Sequence, residues 1–297
     1  MEELGIRGEL RSREPLYAHT YLHVGGEAEY FLFAREFNDM KKSLDFCKEK
    51  GMPYYIIGNG SNVLFSDEGF SGLVITTQRM DQVQIKGTTV RSEAGSSLSR
   101  VIDCCKEAGL SGLESLIGIP GTIGGSVVMN AGAYGREIGE FVSSVSVLRG
   151  GKISQLEEFY FNYRISSLKG EILLDIELVL RENNKREIEE RMTNVAKERK
   201  VKMPGIPKWI GTCGSVFKNP EGNHAGSLIE RAGLKGKRVG GASVSTHHAN
   251  YIFTEPSATS RDVIDLIRKI IDEVDNKFGI TLETEVVIVG KEDEIQI

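Results

Sequence analysis

The spacing of apolar positions changes several times along the chain, and each change marks an element. Residues 28–34 (AEYFLFA) read as a strand, and residues 36–50 then place Phe37, Met40, Leu44 and Cys47 on one helical face. Gly51 is a natural stop for that helix. Short apolar runs at residues 54–57 and 72–77 complete a β-α-β start. Residues 83–95 predict a hairpin about Lys86-Gly87, and residues 97–108 a helix with Leu98, Val101, Cys105 and Ala108 in register. From 109 to 139 glycine is too dense for regular structure throughout. Two strands then flank Arg149-Gly150-Gly151. In residues 171–180, Ile172, Leu174, Ile176, Leu178 and Leu180 face one way, with Asp175 and Glu177 opposite.

Residues 183–202 form a highly charged helical stretch, suited to linking two domains. Residues 261–278 carry Val263, Ile267, Ile270 and Val274 on one face, with a capping-box start at Thr259-x-x-Asp262 and a stop at Gly279. A strand at 285–289 ends the pattern. The 297 residues exceed what one core usually organises, so three consecutive parts are expected, 1–78, 79–200 and 201–297.

Composition narrows the class. Apolar residues are 40% and charged residues 27%, as in ordinary soluble proteins, and the formal charge of −5 argues against a nucleic-acid partner. The four cysteines, Cys47, Cys104, Cys105 and Cys213, show no C-x-x-C spacing, which points to a reducing compartment without disulfides. The first residues lack an apolar signal core, and no run approaches the ~20 apolar residues of a membrane span. A cytoplasmic protein with no membrane partner is expected.

The 34 glycines stand well above the usual ~7% and gather in a few places. One is Gly58-Asn59-Gly60-Ser61-Asn62, directly after a strand. Two glycines and two asparagines there permit positive φ and successive exposed amides, a nest for a pyrophosphate, although a tight turn would use the same residues. It is neither a P-loop nor a G-x-G-x-x-G helix opening. The second is Gly118-Ile-Pro-Gly-Thr-Ile-Gly-Gly-Ser, running on to Tyr134. Pro120 and Gly121 set a turn, and Thr122 can cap a short helix whose start attracts phosphate. Gly124 and Gly125 admit a flat ligand or a neighbouring backbone.

These segments resemble the MurB family, the UDP-N-acetylenolpyruvoylglucosamine reductases of peptidoglycan synthesis. The resemblance is carried by GNGSNVLFSDEGFSGLVI, SLIGIPGTIGGSVVMNAGAYG, YRISS, GSVFKNP, LIERAGLKGKRVGGASVS and LETEVVIVG, in family order across residues 19–290. It implies an α+β fold: an FAD-binding unit of the vanillyl-alcohol-oxidase/MurB type in two sub-domains, plus a C-terminal α+β substrate-binding domain. It implies non-covalent FAD held by Gly58, Asn59, Gly60, Ser61, Asn62, Gly118, Pro120, Gly121, Thr122, Gly124, Gly125, Ala131 and Tyr134. NADPH is the implied reductant, and the chain is expected to be a monomer.

By the same resemblance Arg164 of Tyr163-Arg164-Ile165-Ser166, Ser215 of Gly-Ser-x-Phe-Lys-Asn-Pro, and Glu285 (not Glu283) are catalytic. Hydride addition to an enolpyruvyl ether makes an enolate. Arg164 suits its charge, Glu285, if kept protonated by burial, could hydrogen-bond it, and Ser215 would deliver the proton. Read without the family, Arg164 is a surface arginine, Ser215 a turn serine and Glu285 half of an ion pair. Tyr163, Lys202, Asn219 and His248 match substrate-side positions. His247 and His248 are adjacent, and neighbours on a strand point apart, so no metal is expected. Two departures stand out: the chain is too short between Arg164 and Ser215 for the tyrosine-bearing insertion of longer members, and Cys213 sits where a small residue such as alanine is commoner. The alternatives are another flavin oxidoreductase of this fold, such as an alcohol or hydroxy-acid oxidase, or a non-catalytic nucleotide-binding module.

Overall fold

The computed structural model describes residues 5–202 and 205–290, with no side chain for Lys202. The chain packs as two compact units. The first takes the described residues through Arg11, Tyr30–Asn59 and Gly72–Lys200; the second takes Ser12–Glu29, Gly60–Ser71 and the described residues from Val201 onward. The two units are interleaved along the sequence.

In the first unit the β-α-β start forms as expected. Helix α1 (Phe37–Lys50) buries Met40 and Cys47, and Gly51 ends it at φ +63, a left-handed cap that glycine adopts without strain. Strand Tyr54–Ile57 lies parallel to Phe70–Thr76, with Tyr54 opposite Leu73. The sheet order is Glu9–Pro15, Glu27–Phe33, Phe70–Thr76, Tyr54–Ile57. Leu32, Ala34, Met40, Cys47, Leu73 and Ile75 form its core.

A five-stranded antiparallel sheet follows, in the order Lys152–Leu156, Val142–Arg149, Leu173–Val179, Thr89–Glu93, Val83–Lys86. The alternating stretch supplies its central strand, and Ile176 and Leu178 are fully buried. Helix α2 (Leu98–Glu107) starts at Ser97, whose side chain accepts from the Arg100 amide. Ala108 had been placed on its buried face; it is instead the exposed cap residue, and Ile102 is buried within the helix. The glycine-rich stretch contains one short α-helix, α3 (Ile123–Val128). The charged stretch is helix α4 (Lys185–Lys202), but it is not a free connector. Its Ile188 and Met192 sit in the core of this sheet, because even a strongly charged helix can dock by two apolar positions one turn apart.

The second unit is built around helix α6 (Ser260–Phe278), which has the expected capping box and a left-handed Gly279. Val263, Ile267, Ile270 and Val274 are at most 1% exposed. Helix α5 (Ala225–Arg231) and the strands Arg238–Val239, Ala242–Val244 and Ile252–Thr254 pack on it. The last strand starts at Val287, not 285, because the amides of Glu285 and Val286 are drawn to the Val216 carbonyl. It pairs in parallel with Val63–Phe65.

Candidate functional site

Within the first unit, Gly58 and Asn59 of the first glycine loop lie beside the second loop. Gly58 stands so close to Thr122 that any Cβ would overlap the threonine hydroxyl. Thr122 in turn caps α3, its Oγ1 accepting from the Gly125 amide at 3.3 Å. Asn59 is held by Gln78, whose Nε2 donates to its Oδ1 at 3.1 Å. The paired glycines divide their work. Gly124 donates to the Ala94 carbonyl at 2.9 Å and leaves no room for a side chain. Gly125 is exposed, and a Cβ there would meet nothing nearer than Thr122 Oγ1 at 3.4 Å. So Gly124 serves a backbone approach, while Gly125 keeps an open face. Gly118 (φ +79) and Gly121 (φ +136) flank the exposed Pro120. Ala131 is braced through its backbone, donating to Ser126 O at 2.7 Å and accepting from the Ile138 amide at 2.9 Å.

Left-handed backbone at non-glycine residues gathers here. Asn130 (φ +44), Tyr134 (φ +54) and Arg164 (φ +57) are three of five such residues among those described. Each costs on the order of 1 kcal/mol and persists only where the surroundings impose it. For Arg164 the surroundings are explicit. It turns between the two-residue strands Phe161–Asn162 and Ile165–Ser166, and its guanidinium donates to Asn130 O at 3.4 Å and Gly132 O at 2.9 Å. The same guanidinium lies 5.2 Å from the Tyr163 ring centre, and that ring is 40% exposed. Asn130 is fully buried; its amide donates to Glu137 Oε2 and Asn162 O, and its oxygen accepts from the Gly139 amide. Arg164 is therefore a pinned residue and not a loose surface arginine.

In the second unit Ser215 and Glu285 lie on paired segments. Phe217 opposes Thr284, Ser215 opposes Tyr251, and the Glu285 amide donates to Val216 O at 2.7 Å. Asn250, 4% exposed, locks the serine segment from both sides: Phe217 N donates to its Oδ1 at 2.9 Å, and its Nδ2 donates to Phe217 O at 2.8 Å. Asn62 Nδ2 donates to Glu285 O at 2.9 Å and its backbone carbonyl accepts from the Val287 amide, so Asn62 holds the glutamate segment through both side chain and backbone. Gly60 φ is +62, and a side chain there would overlap His19 O. Ser61 is half-buried beside it. The neighbouring Glu283 pairs with Lys218. Cys213 is 7% exposed, and its thiol is pushed up to about 12, chiefly by burial.

The substrate-side candidates divide. Asn219 Oδ1 accepts from the Ala225 amide at 3.0 Å. His248 Nδ1 accepts from Asn250 N at 3.3 Å, and its ring lies 4.7 Å from that of Tyr251. The strand expected at His247 and His248 is corrected: both lie in a bend after Val244, their amides turned onto Ser245 Oγ. Among the described residues no group of three or more His, Cys, Asp or Glu could hold a metal ion. The side chain of Lys202 lies outside the described residues.

Sequence reading missed Asn130, Asn250 and Arg199. The asparagines carry no signal short of the fold, and Arg199 is camouflaged in a charge-rich helix. A large anionic ligand fits the first unit's loops: Gly125 is open, and the buried Nε of Arg199 has no acceptor among the described residues. Nor is any described helix long and apolar enough to cross a membrane.

Comparison with known proteins agrees with this geometry. A family model described as FAD binding domain matches residues 28–155, and one described as UDP-N-acetylenolpyruvoylglucosamine reductase, C-terminal domain, matches residues 206–289. The UDP-N-acetylenolpyruvoylglucosamine reductase of Streptococcus pneumoniae strain Hungary19A-6 is 38% identical over 288 residues, covering 95% of each chain. That of strain Spain 23F-1 is equally identical, over 95% of this chain and 90% of its own. The crystal structure of the Thermus caldophilus enzyme superposes with a TM-score of 0.82 at 35% identity, over 96% of this chain and all of that one.

Proposed function

Because the chain belongs to the UDP-N-acetylenolpyruvoylglucosamine reductase family, we propose that it reduces UDP-N-acetylglucosamine enolpyruvate to UDP-N-acetylmuramate with NADPH, supplying peptidoglycan synthesis. The fold is α+β, an FAD-binding domain joined to the family's C-terminal domain, and FAD is the cofactor. The full-length match carries this reading over an alcohol or hydroxy-acid oxidase or a non-catalytic module. We assign residues 1–78 and 79–200 to holding the cofactor and 201–297 to the substrate, in a cytoplasmic monomer of the shorter subtype.

The chemistry FAD supplies when bound is hydride transfer from NADPH to the terminal enolpyruvyl carbon. The residues proposed to hold it are Gly58, Asn59, Gly60, Ser61 and Asn62 with Gly118, Pro120, Gly121, Thr122, Gly124, Gly125, Ala131 and Tyr134. The open face of Gly125 supports that assignment; Gly124 and Asn62 serve it by shaping backbone.

Arg164 faces the substrate carboxylate and stabilises the enolate charge that spreads into it. Its imposed backbone and two carbonyl anchors support this role, since a pinned cation needs no reorganisation as charge develops. Glu285 donates a hydrogen bond from its carboxyl to the same enolate. Ser215 Oγ gives its proton to the carbon next to the carboxylate. A hydroxyl is a weak acid, so the strongly basic enolate is what makes this transfer feasible. The lock that Asn250 and Glu285 place on the flanking backbone supports a fixed serine. Tyr163, Asn219, His248 and Lys202 are proposed to face the sugar nucleotide.

The test separates the half-reactions anaerobically. NADPH should reduce the flavin in both wild type and Ser215→Ala. Addition of the enolpyruvyl sugar nucleotide should reoxidise wild type, while the variant slows by about 10²-fold or more. Equal loss in both halves would remove Ser215 from proton delivery. No reoxidation of wild type would remove the substrate assignment.

A further inference from the structure

We propose that Arg199 is an anion-binding residue of the glycine loop, whose guanidinium takes an oxygen of a nucleotide pyrophosphate. This rests on the flavin-enzyme reading and adds to it a residue outside every motif that led there.

Arg199 lies in the last turn of α4 and behaves unlike the other charged residues of that helix. Arg191 pairs with Glu114 and Lys185 with Glu107. Arg199 instead lies against the glycine loop. Its Cδ comes within 3.2 Å, and its Nε within 3.7 Å, of where a side chain on Gly118 would begin. Its guanidinium carbon lies 5.7 Å from the centre of the Tyr134 ring. Its Nε is buried and donates to nothing among the described residues.

The loop is shaped around this arrangement. Gly118 takes a φ of +79, which favours glycine, and a Cβ there would crowd the arginine stem at 3.2 Å. Tyr134 is held at φ +54, and its ring, 39% exposed, flanks the guanidinium. A buried donor without an acceptor is strongly unfavourable, and a ligand oxygen is what would complete it. The guanidinium fork matches phosphate oxygens. Both FAD and a UDP-sugar carry a pyrophosphate, so the experiment must distinguish them.

Arg199→Gln and Arg199→Lys would be compared with wild type after thermal melts establish folding; lysine preserves the stem beside Gly118 should glutamine fail to fold. Apoprotein is titrated with FAD and with FMN, which lacks the pyrophosphate, by flavin fluorescence. Holoprotein is titrated with UDP by flavin absorbance. Arg199→Gln should weaken FAD or UDP at least about tenfold, with lysine intermediate and the deficit shrinking in high salt. Loss of FAD affinity with FMN spared identifies the cofactor's pyrophosphate; loss of UDP affinity with FAD intact identifies the sugar nucleotide. FAD and UDP both within twofold of wild type, or equal losses of FAD and FMN with UDP unchanged, would overturn the proposal. A wild-type protein that retains no flavin would overturn the enzyme reading as well.

Discussion

At the scale of single residues, the question left open by sequence was Cys213, two positions from the proposed proton donor. Burial pushes its thiol to about 12, so at pH 8 only roughly one molecule in ten thousand carries the reactive thiolate. Cys105 is likewise pushed up to about 12 by burial, and Cys47 is also raised. Native protein treated with a disulfide reagent at pH 8 should therefore keep Cys213 unmodified long after denatured protein has reacted at all four thiols. Peptide mapping decides it, and rapid native labelling of Cys213 would contradict the inert assignment. The same scale shows what a motif can and cannot tell. The resemblance pointed to Arg164 and preferred Glu285 over Glu283; Glu283 pairs with Lys218. What no motif revealed was conformation: the positive φ of Arg164 and the three-way bonding of Asn130 depend on neighbours more than 30 positions distant or on folded loops. Arg199 looked like one more charge in a charged helix because its distinguishing contact is with Gly118, over 80 residues earlier.

Among the elements, the helices were the most legible, since α1 announces a face and a glycine stop, α2 a face, and α6 a face, a cap and a stop. The role of α4 was not, because its docking depends on a partner in the loop before α3. That partner is Glu114, 8% exposed, which accepts from Ser111 Oγ at 2.8 Å, the Gly112 amide at 2.7 Å and Arg191 at 2.9 Å. Burial alone would raise its pKa, but these bonds and its own amide outweigh it, and the carboxyl is held below 4.5. A folded pKa below the unfolded one stabilises the protein above the unfolded value and is lost as pH falls through the folded value. Glu114→Gln should thus lower unfolding free energy at pH 7 by roughly 1.5–3 kcal/mol. In urea melts that gap should narrow as pH drops below about 4.5. A gap unchanged between pH 7 and pH 4 would show that shape, not charge, holds α4 in place.

For the whole molecule, periodicity identified strands yet could not pair them, because pairing across hundreds of residues leaves no local trace. The strand at the end of the described chain, Val287–Val289, has as its partner Val63–Phe65. The core around α6 includes Leu22, Val24 and Leu64 alongside Ile264, Ile267 and Ile270. Thr212 donates to Tyr21 O at 2.7 Å, and the Ser260 amide donates to Asp67 at 2.8 Å. A fragment of residues 201–297 would lose the partner strand, three fully buried apolar side chains and an acceptor at the start of its longest helix. Each apolar side chain contributes roughly 1.5–3 kcal/mol of burial, so their loss together is comparable to the whole stability of an ordinary domain. The fragment, produced alone, should show broad or absent thermal unfolding and poor dispersion of its amide signals. Leu64→Ala in the full chain provides the graded version, with a cost of about 2–5 kcal/mol read from urea unfolding. A cooperatively folding 201–297 fragment would mean that the segments 12–29 and 60–71 merely decorate the unit. Failure of the fragment together with a marked Leu64→Ala effect would mean that the proposed proton donor stands in a core that the first quarter of the chain must help to build.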